Sequence, residues 1–104
     1  MMTSLVTKLS DEEVRARLLQ IPTWKLNRGE LECTFSLTSF PQAVLFVDAV
    51  ALLAESEQHH PDITITYDTV ILRVATHSAG GISEKDFMLA QRISQLERVF
   101  QIIK

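Results

Sequence analysis

Leu31-Glu32-Cys33-Thr34-Phe35-Ser36-Leu37 decides the fold of this chain. Apolar residues stand at 31, 33, 35 and 37, and polar ones fill the positions between. Successive side chains of a strand point to opposite faces, so the run predicts a strand covered on one side only. One-sided cover is the habit of antiparallel sheets. Asn27-Arg28-Gly29, just upstream, carries turn chemistry, and Trp24-Lys25-Leu26 before it reads as the partner strand. Further upstream, Ser10-Asp11-Glu12-Glu13 has the capping-box pattern, with Ser10 as N-cap. The helix that follows is expected to carry Val14, Leu18 and Ile21 on one face and to end at Pro22.

Downstream of the alternating run the apolar period changes. Phe40, Ala43, Val44, Val47, Val50, Ala51 and Ala54 form a helical stripe, predicting a helix from Thr38 or Ser39 to about Gln58. Pro61 biases His60 away from helical dihedrals, so this helix ends at or before the histidine pair. Ile63 to Tyr67 and Val70 to His77 are rich in β-branched residues and flank Asp68-Thr69, a hairpin pattern. Ala79-Gly80-Gly81 then forms a loop, and Ser83 caps a third helix that runs toward Lys104. The order α-β-β-α-β-β-α predicts an α+β, two-layer domain: a four-stranded antiparallel sheet with helices on one face.

At 104 residues and 46% hydrophobic, residues 1–104 are expected to form a single domain. The net charge of −3, without a block of like charge, argues against nucleic acid as a partner. Cys33 is the sole cysteine, which excludes an intrachain disulfide and a cysteine-rich zinc site; its alternating context makes it a small buried hydrophobe. The N-terminus shows no signal-peptide pattern, and the apolar-rich run Ala43 to Ala54 is interrupted by Asp48 and too short to span a bilayer. The expectation is a cytoplasmic protein with no membrane partner. Leu89, Ile93, Leu96, Phe100 and Ile103 supply the third helix's core face, and Met88 and Val99 widen it around Arg92. A short chain with open sheet edges and spare apolar surface is expected to self-associate.

All three histidines fall in one constellation, Glu55-x3-His59-His60-Pro61-x5-Tyr67-x9-His77-x8-Asp86. Histidine both gives and takes protons near neutral pH, its unperturbed pKa being ~6.5, so the cluster points to proton transfer. Glu55 and His59, four apart, share a helix face if the last turn stays helical, and the carboxylate then fixes the imidazole tautomer. The plainer reading is an ion pair capping the helix end. His60, in extended backbone, points away from His59 and suits substrate binding or a structural contact. His77 has the parity of Ile71, Arg73 and Ala75, so it is expected on the less covered sheet face, as a site residue or a solvated strand terminus. Asp86, three after Ser83, is placed to cap the third helix and still orient a histidine or a ring nitrogen. Adjacent histidines before a proline meet neither chelating spacing, so no metal is expected. Gly80-Gly81 before a helix lacks the GxGxxG pattern and a P-loop lysine, and a turn is the better reading than a phosphate cradle.

This spacing, together with Thr76-His77-Ser78-Ala79-Gly80-Gly81-Ile82-Ser83-Glu84-Lys85-Asp86, resembles the pterin-4a-carbinolamine dehydratase family from about residue 8 to 103. The resemblance implies dehydration of a 4a-hydroxytetrahydropterin to the quinonoid dihydropterin, the recycling step after aromatic amino-acid hydroxylation. It implies His59, His77 and Glu55 as catalytic groups, His60, Pro61, Thr76 and Asp86 at the substrate, and neither metal nor cofactor. It also implies a homodimer or homotetramer and a functional link to an aromatic amino-acid hydroxylase. Two alternatives stay open: a non-catalytic dimerisation or scaffold protein on the same fold, and a dehydratase for a different pterin.

Overall fold

The computed structural model describes residues 6–102. Residues 1–5, on which part of the leader reading bears, lie outside it, as do Ile103, expected on the core face of the third helix, and Lys104. Helix α1 (Asp11–Leu18) is followed by β1 (Lys25–Asn27), β2 (Glu30–Ser36), α2 (Phe40–Ser56), β3 (Asp62–Thr66), β4 (Thr69–Val74) and α3 (Glu84–Ile102). The four strands form one antiparallel sheet in the order β1-β2-β4-β3, the expected α+β arrangement.

Local chemistry starts each element. Ser10 and Glu13 close the capping box of α1, Glu13 N–H on Ser10 Oγ and Ser10 N–H on Glu13 Oε1. The helix ends at Leu18, however, and Ile21 lies beyond it. The Leu19, Gln20 and Ile21 N–H groups bond three residues back, a tightened turn before Pro22 that buries Ile21 without helix. Strand β1 starts one residue later than expected and runs through Asn27, because the hairpin loop is only Arg28-Gly29. Both loop residues have positive φ (54° and 78°), the geometry that matches strand twist. The second hairpin turns on Tyr67-Asp68, with Tyr67 at φ 54°, which returns Thr69 to β4.

Leu31, Cys33, Phe35 and Leu37 are buried under the helices as the alternation requires. Glu32 departs from it: on the opposite face, it is nonetheless only 7% exposed. Asn27 Nδ2 (2.9 Å), Arg73 Nε (3.0 Å) and Lys25 Nζ (3.6 Å) surround its carboxylate. Those donors hold it below the usual carboxylate range, the Asn27 hydrogen bond being the largest cause and burial opposing it. The core face of α2 is Ala43, Phe46, Val50 and Ala54, with Val47 and Leu53 partly buried. That face is rotated from the expected stripe: Phe40 and Ala51 are exposed and Phe46 is fully buried. The reason is an aromatic chain, Trp24 to Phe35 to Phe46 to Phe100, with ring centroids 6.0, 5.0 and 5.4 Å apart. Phe87 and Ala90 join Leu89 and Ile93 in the core face of α3. Cys33 is buried, its thiol donating to the Thr23 carbonyl and pushed up in pKa by burial.

Candidate active site

The end of α2 sends the two adjacent histidines in different directions. After Ser56 the helix closes in a Schellman turn, with Gln58 N–H on the Glu55 carbonyl and His59 N–H on the Ala54 carbonyl. Gln58 takes the left-handed conformation at φ 52°. The reversal turns His59 inward to 8% exposure, whereas His60, extended before Pro61, stays outside. Glu55 and His59 are therefore not partners, as the i,i+4 spacing suggested, because the last turn does not stay helical. Glu55 Oε1 instead accepts from His60 Nε2–H at 2.8 Å. That hydrogen bond, and then the His60 charge, hold the Glu55 carboxyl below its usual range.

His59 finds its carboxylate in Asp86, which is fully buried in the first turn of α3. His59 Nε2–H donates to Asp86 Oδ1 at 2.5 Å. Asp86 Oδ2 accepts from the Ser83 N–H and from the Thr76 hydroxyl, both at 2.8 Å. With the Thr76 proton so used, the 2.7 Å contact between Thr76 and Ser83 hydroxyls is a donation from Ser83. Ser83 Oγ also accepts the Lys85 N–H. One network thus caps the helix and fixes the His59 tautomer, leaving His59 Nδ1 for other work.

Strand β4 ends at Val74, and His77 is not on it. Thr76 bridges to Gly81, which pulls the chain out of the sheet, and His77 opens a single 3-10 turn closed by Gly80 at φ 79°. Exposed His77 has no ring hydrogen bond among the described residues. An open cleft of about 360 Å³ brings the three histidines together. His59 and Thr76 are its buried members, and His60 and His77 its exposed ones. Gln58, Asp62, Ala75, Ser78 and Lys85 complete the lining. Their signal in the sequence was adjacency to motif residues, which does not by itself single them out. Glu55 reaches the cleft only through His60, and Asp86 only through His59 and Thr76. Pro61 is outside the lining and acts on the backbone of His60. Tyr67 is at the opposite end of the β3–β4 hairpin, remote from the histidines.

Among the described residues no three His, Cys, Asp or Glu side chains are placed to share a metal ion. No helix among them is long and apolar enough to cross a membrane. The cleft offers two imidazoles oriented by carboxylates and one unconstrained, enough for an acid and a base on a flat substrate.

The model of the family described as pterin 4 alpha carbinolamine dehydratase matches residues 7–96. A Chloroflexus aurantiacus protein named for pterin-4-alpha-carbinolamine dehydratase is 48% identical over 89 residues, 86% of this chain and 96% of its own. The crystal structure of a transcriptional coactivator/pterin dehydratase from Brucella melitensis superposes with a TM-score of 0.84 at 27% identity, covering 88% of this chain and 99% of that one. A pterin dehydratase-like protein identified as a RuBisCO assembly factor in the alpha-carboxysome gives a TM-score of 0.61 at 26% identity, over 72% of this chain and 89% of that one.

Proposed function

The chain belongs to the pterin-4-alpha-carbinolamine dehydratase family, and we propose that it is a working hydro-lyase of that kind, acting through its histidines. The substrate is a 4a-hydroxytetrahydropterin. The C4a–O bond breaks, the hydroxyl leaves as water, the N5 proton departs, and N5=C4a forms, giving the quinonoid dihydropterin. No electron is exchanged with a second molecule. Hydroxide is a poor leaving group, so the step needs an acid at oxygen and a base at nitrogen.

His59 and His77 move these protons: His59 through Nδ1, its Nε2 being held by Asp86, and His77 through its unconstrained ring. His60, steadied by Glu55, binds the ring. The observation that carries the reading is the convergence of His59, His60 and His77 on one cleft. We take residues 1–104 as one domain that works as a homo-oligomer and serves an aromatic amino-acid hydroxylase. The names of the two structural relatives favour a second reading, a binding role on the same fold.

Spectrophotometric assay of the purified chain on enzymatically generated carbinolamine separates the two. His59→Ala and His77→Ala are each expected to lower kcat by about 10²–10⁴-fold with unchanged circular dichroism. The double variant should lose less than the product of the single losses. Full activity of that double variant would remove the assignment, and absence of turnover by the wild type would favour the binding role.

A further inference from the structure

A second, larger cleft of about 620 Å³ opens beside the histidines. Ala75, Thr76 and His77 line both clefts, so the two meet at His77. Two cations, Lys8 and Arg28, line the second one. Arg17, Lys25, Arg73 and Arg92 each have a carboxylate within 4.0 Å, whereas Lys8 and Arg28 have none among the described residues. The backbone beside Lys8 is anchored, while its side chain is exposed. The Leu9 N–H bonds the Ile82 carbonyl at 2.8 Å, tying this segment to the His77 loop. At Gly81 the backbone φ is not left-handed, so no dihedral demands glycine there. A Cβ at that position would fall 2.9 Å from Lys8 Cε and 3.2 Å from Cδ. The lysine stem thus lies directly against Gly81.

Substrate chemistry connects the two clefts. C4a, N5 and C6 are consecutive ring atoms, so a C6 substituent leaves the pterin beside the edge where protons move. A ring that presents that edge to His77 directs its substituent toward the second cleft. We propose, on the dehydratase reading above, that this cleft is the side-chain subsite, and that Lys8 and Arg28 take a phosphate or carboxylate ending the C6 substituent. Asp11 and Glu30 line the same cleft and offset its formal charge. The attraction is consequently local, and a compact anion that reaches the two cations directly gains most from it.

Fluorescence titration of the full chain with unreactive oxidised pterins tests this. The probes are 6-hydroxymethylpterin, its phosphate ester, and a pteroylglutamate. At least one anionic probe should bind about three- to tenfold tighter than the neutral one. That advantage should shrink in about 0.5 M salt and fall toward one in a Lys8→Ala, Arg28→Asn double variant. Asparagine is chosen because residue 28 needs positive φ, which it tolerates. Arg98→Ala, outside both clefts, should retain the advantage. Preference for the phosphate ester or for the pteroylglutamate identifies the anion. Equal binding of all three probes, or an advantage that survives the double variant, overturns the proposal. If no pterin binds, the subsite and the dehydratase reading fall together. An intact anionic advantage without turnover removes the dehydratase reading alone.

Discussion

At Asp86 one buried carboxylate serves two structures at once. Oδ2 closes the N-terminus of α3 through Ser83 and Thr76, and Oδ1 holds His59. A carboxylate that caps a helix is rigid, so the imidazole it binds inherits that rigidity. Asp86 is buried and does not line the cleft, so in the mechanism proposed above it is a positioning residue. Asp86→Asn should lower kcat by roughly tenfold or more with little change in KM, since the ring is misoriented while the binding surface stays. The same variant should lose about 1–3 kcal/mol of stability, because buried charge-assisted hydrogen bonds are weakened. Steady-state kinetics and urea denaturation separate the two effects, and an unchanged kcat would show that the pair is only a structural cap.

Two elements carry a testable cost or device of their own. Gln58 holds the left-handed position that ends α2, a conformation costing a non-glycine residue about 1–2 kcal/mol. Gln58→Gly should therefore stabilise the protein, by up to about 1 kcal/mol once the unfolded chain's added freedom is counted, measured as a higher denaturation midpoint. In the sheet, Lys25, Glu32 and Arg73 lie across three neighbouring strands, linking β1, β2 and β4. The Glu32 carboxyl is depressed below its ordinary value of 4.5 in the folded state. Its contribution is thus fully present above 4.5, fades as pH falls toward the lower folded value, and is absent below it. Glu32→Gln should flatten the acid limb of the stability profile while leaving less stability at pH 7. An acid limb identical to wild type would show that other carboxylates set it. Arg92, which interrupts the apolar arc of α3, makes an ion pair with Glu57 at 2.9 Å, a contact between α3 and the end of α2 that lacks hydrogen-bond alignment.

At the scale of the molecule, apolar surface is left over on several elements. Leu45 and Leu52 on α2 are 52% and 75% exposed, and Met88 and Val99 on α3 are 46% and 51% exposed. Strand β3 is an edge with the uncharged run Ile63-Thr64-Ile65-Thr66, and an unblocked edge accepts another strand. A symmetric assembly using such an edge or helix face repeats the same contact on both chains. Sedimentation equilibrium at micromolar concentration should accordingly give a multiple of the 11.8 kDa chain mass. A clean 11.8 kDa species would rule self-association out.

Element order, the two hairpins and the helix caps were legible in the amino-acid sequence, because each depends on neighbours a few residues apart; the β2–β4 pairing that joins the hairpins was not. The alternation around Cys33, the Ser10 and Ser83 caps and the stop before Pro61 are local steric and hydrogen-bonding effects. That the three histidines share one cleft was legible from their grouping along the chain, whereas the rest of its lining was not. What the tertiary structure alone decided was which carboxylate meets which histidine. Spacing suggested Glu55 with His59, but a left-handed Gln58 rotates the chain, so that His59 meets Asp86, 27 residues away, and Glu55 meets His60. The burial of Glu32 and the rotated face of α2 have the same origin. Both depend on side chains supplied by other elements, Arg73 from β4 in one case and Phe35 and Phe100 in the other. Periodicity marks the covered side of an element but carries no record of what covers it. Only packing brings those distant groups within hydrogen-bond and van der Waals range.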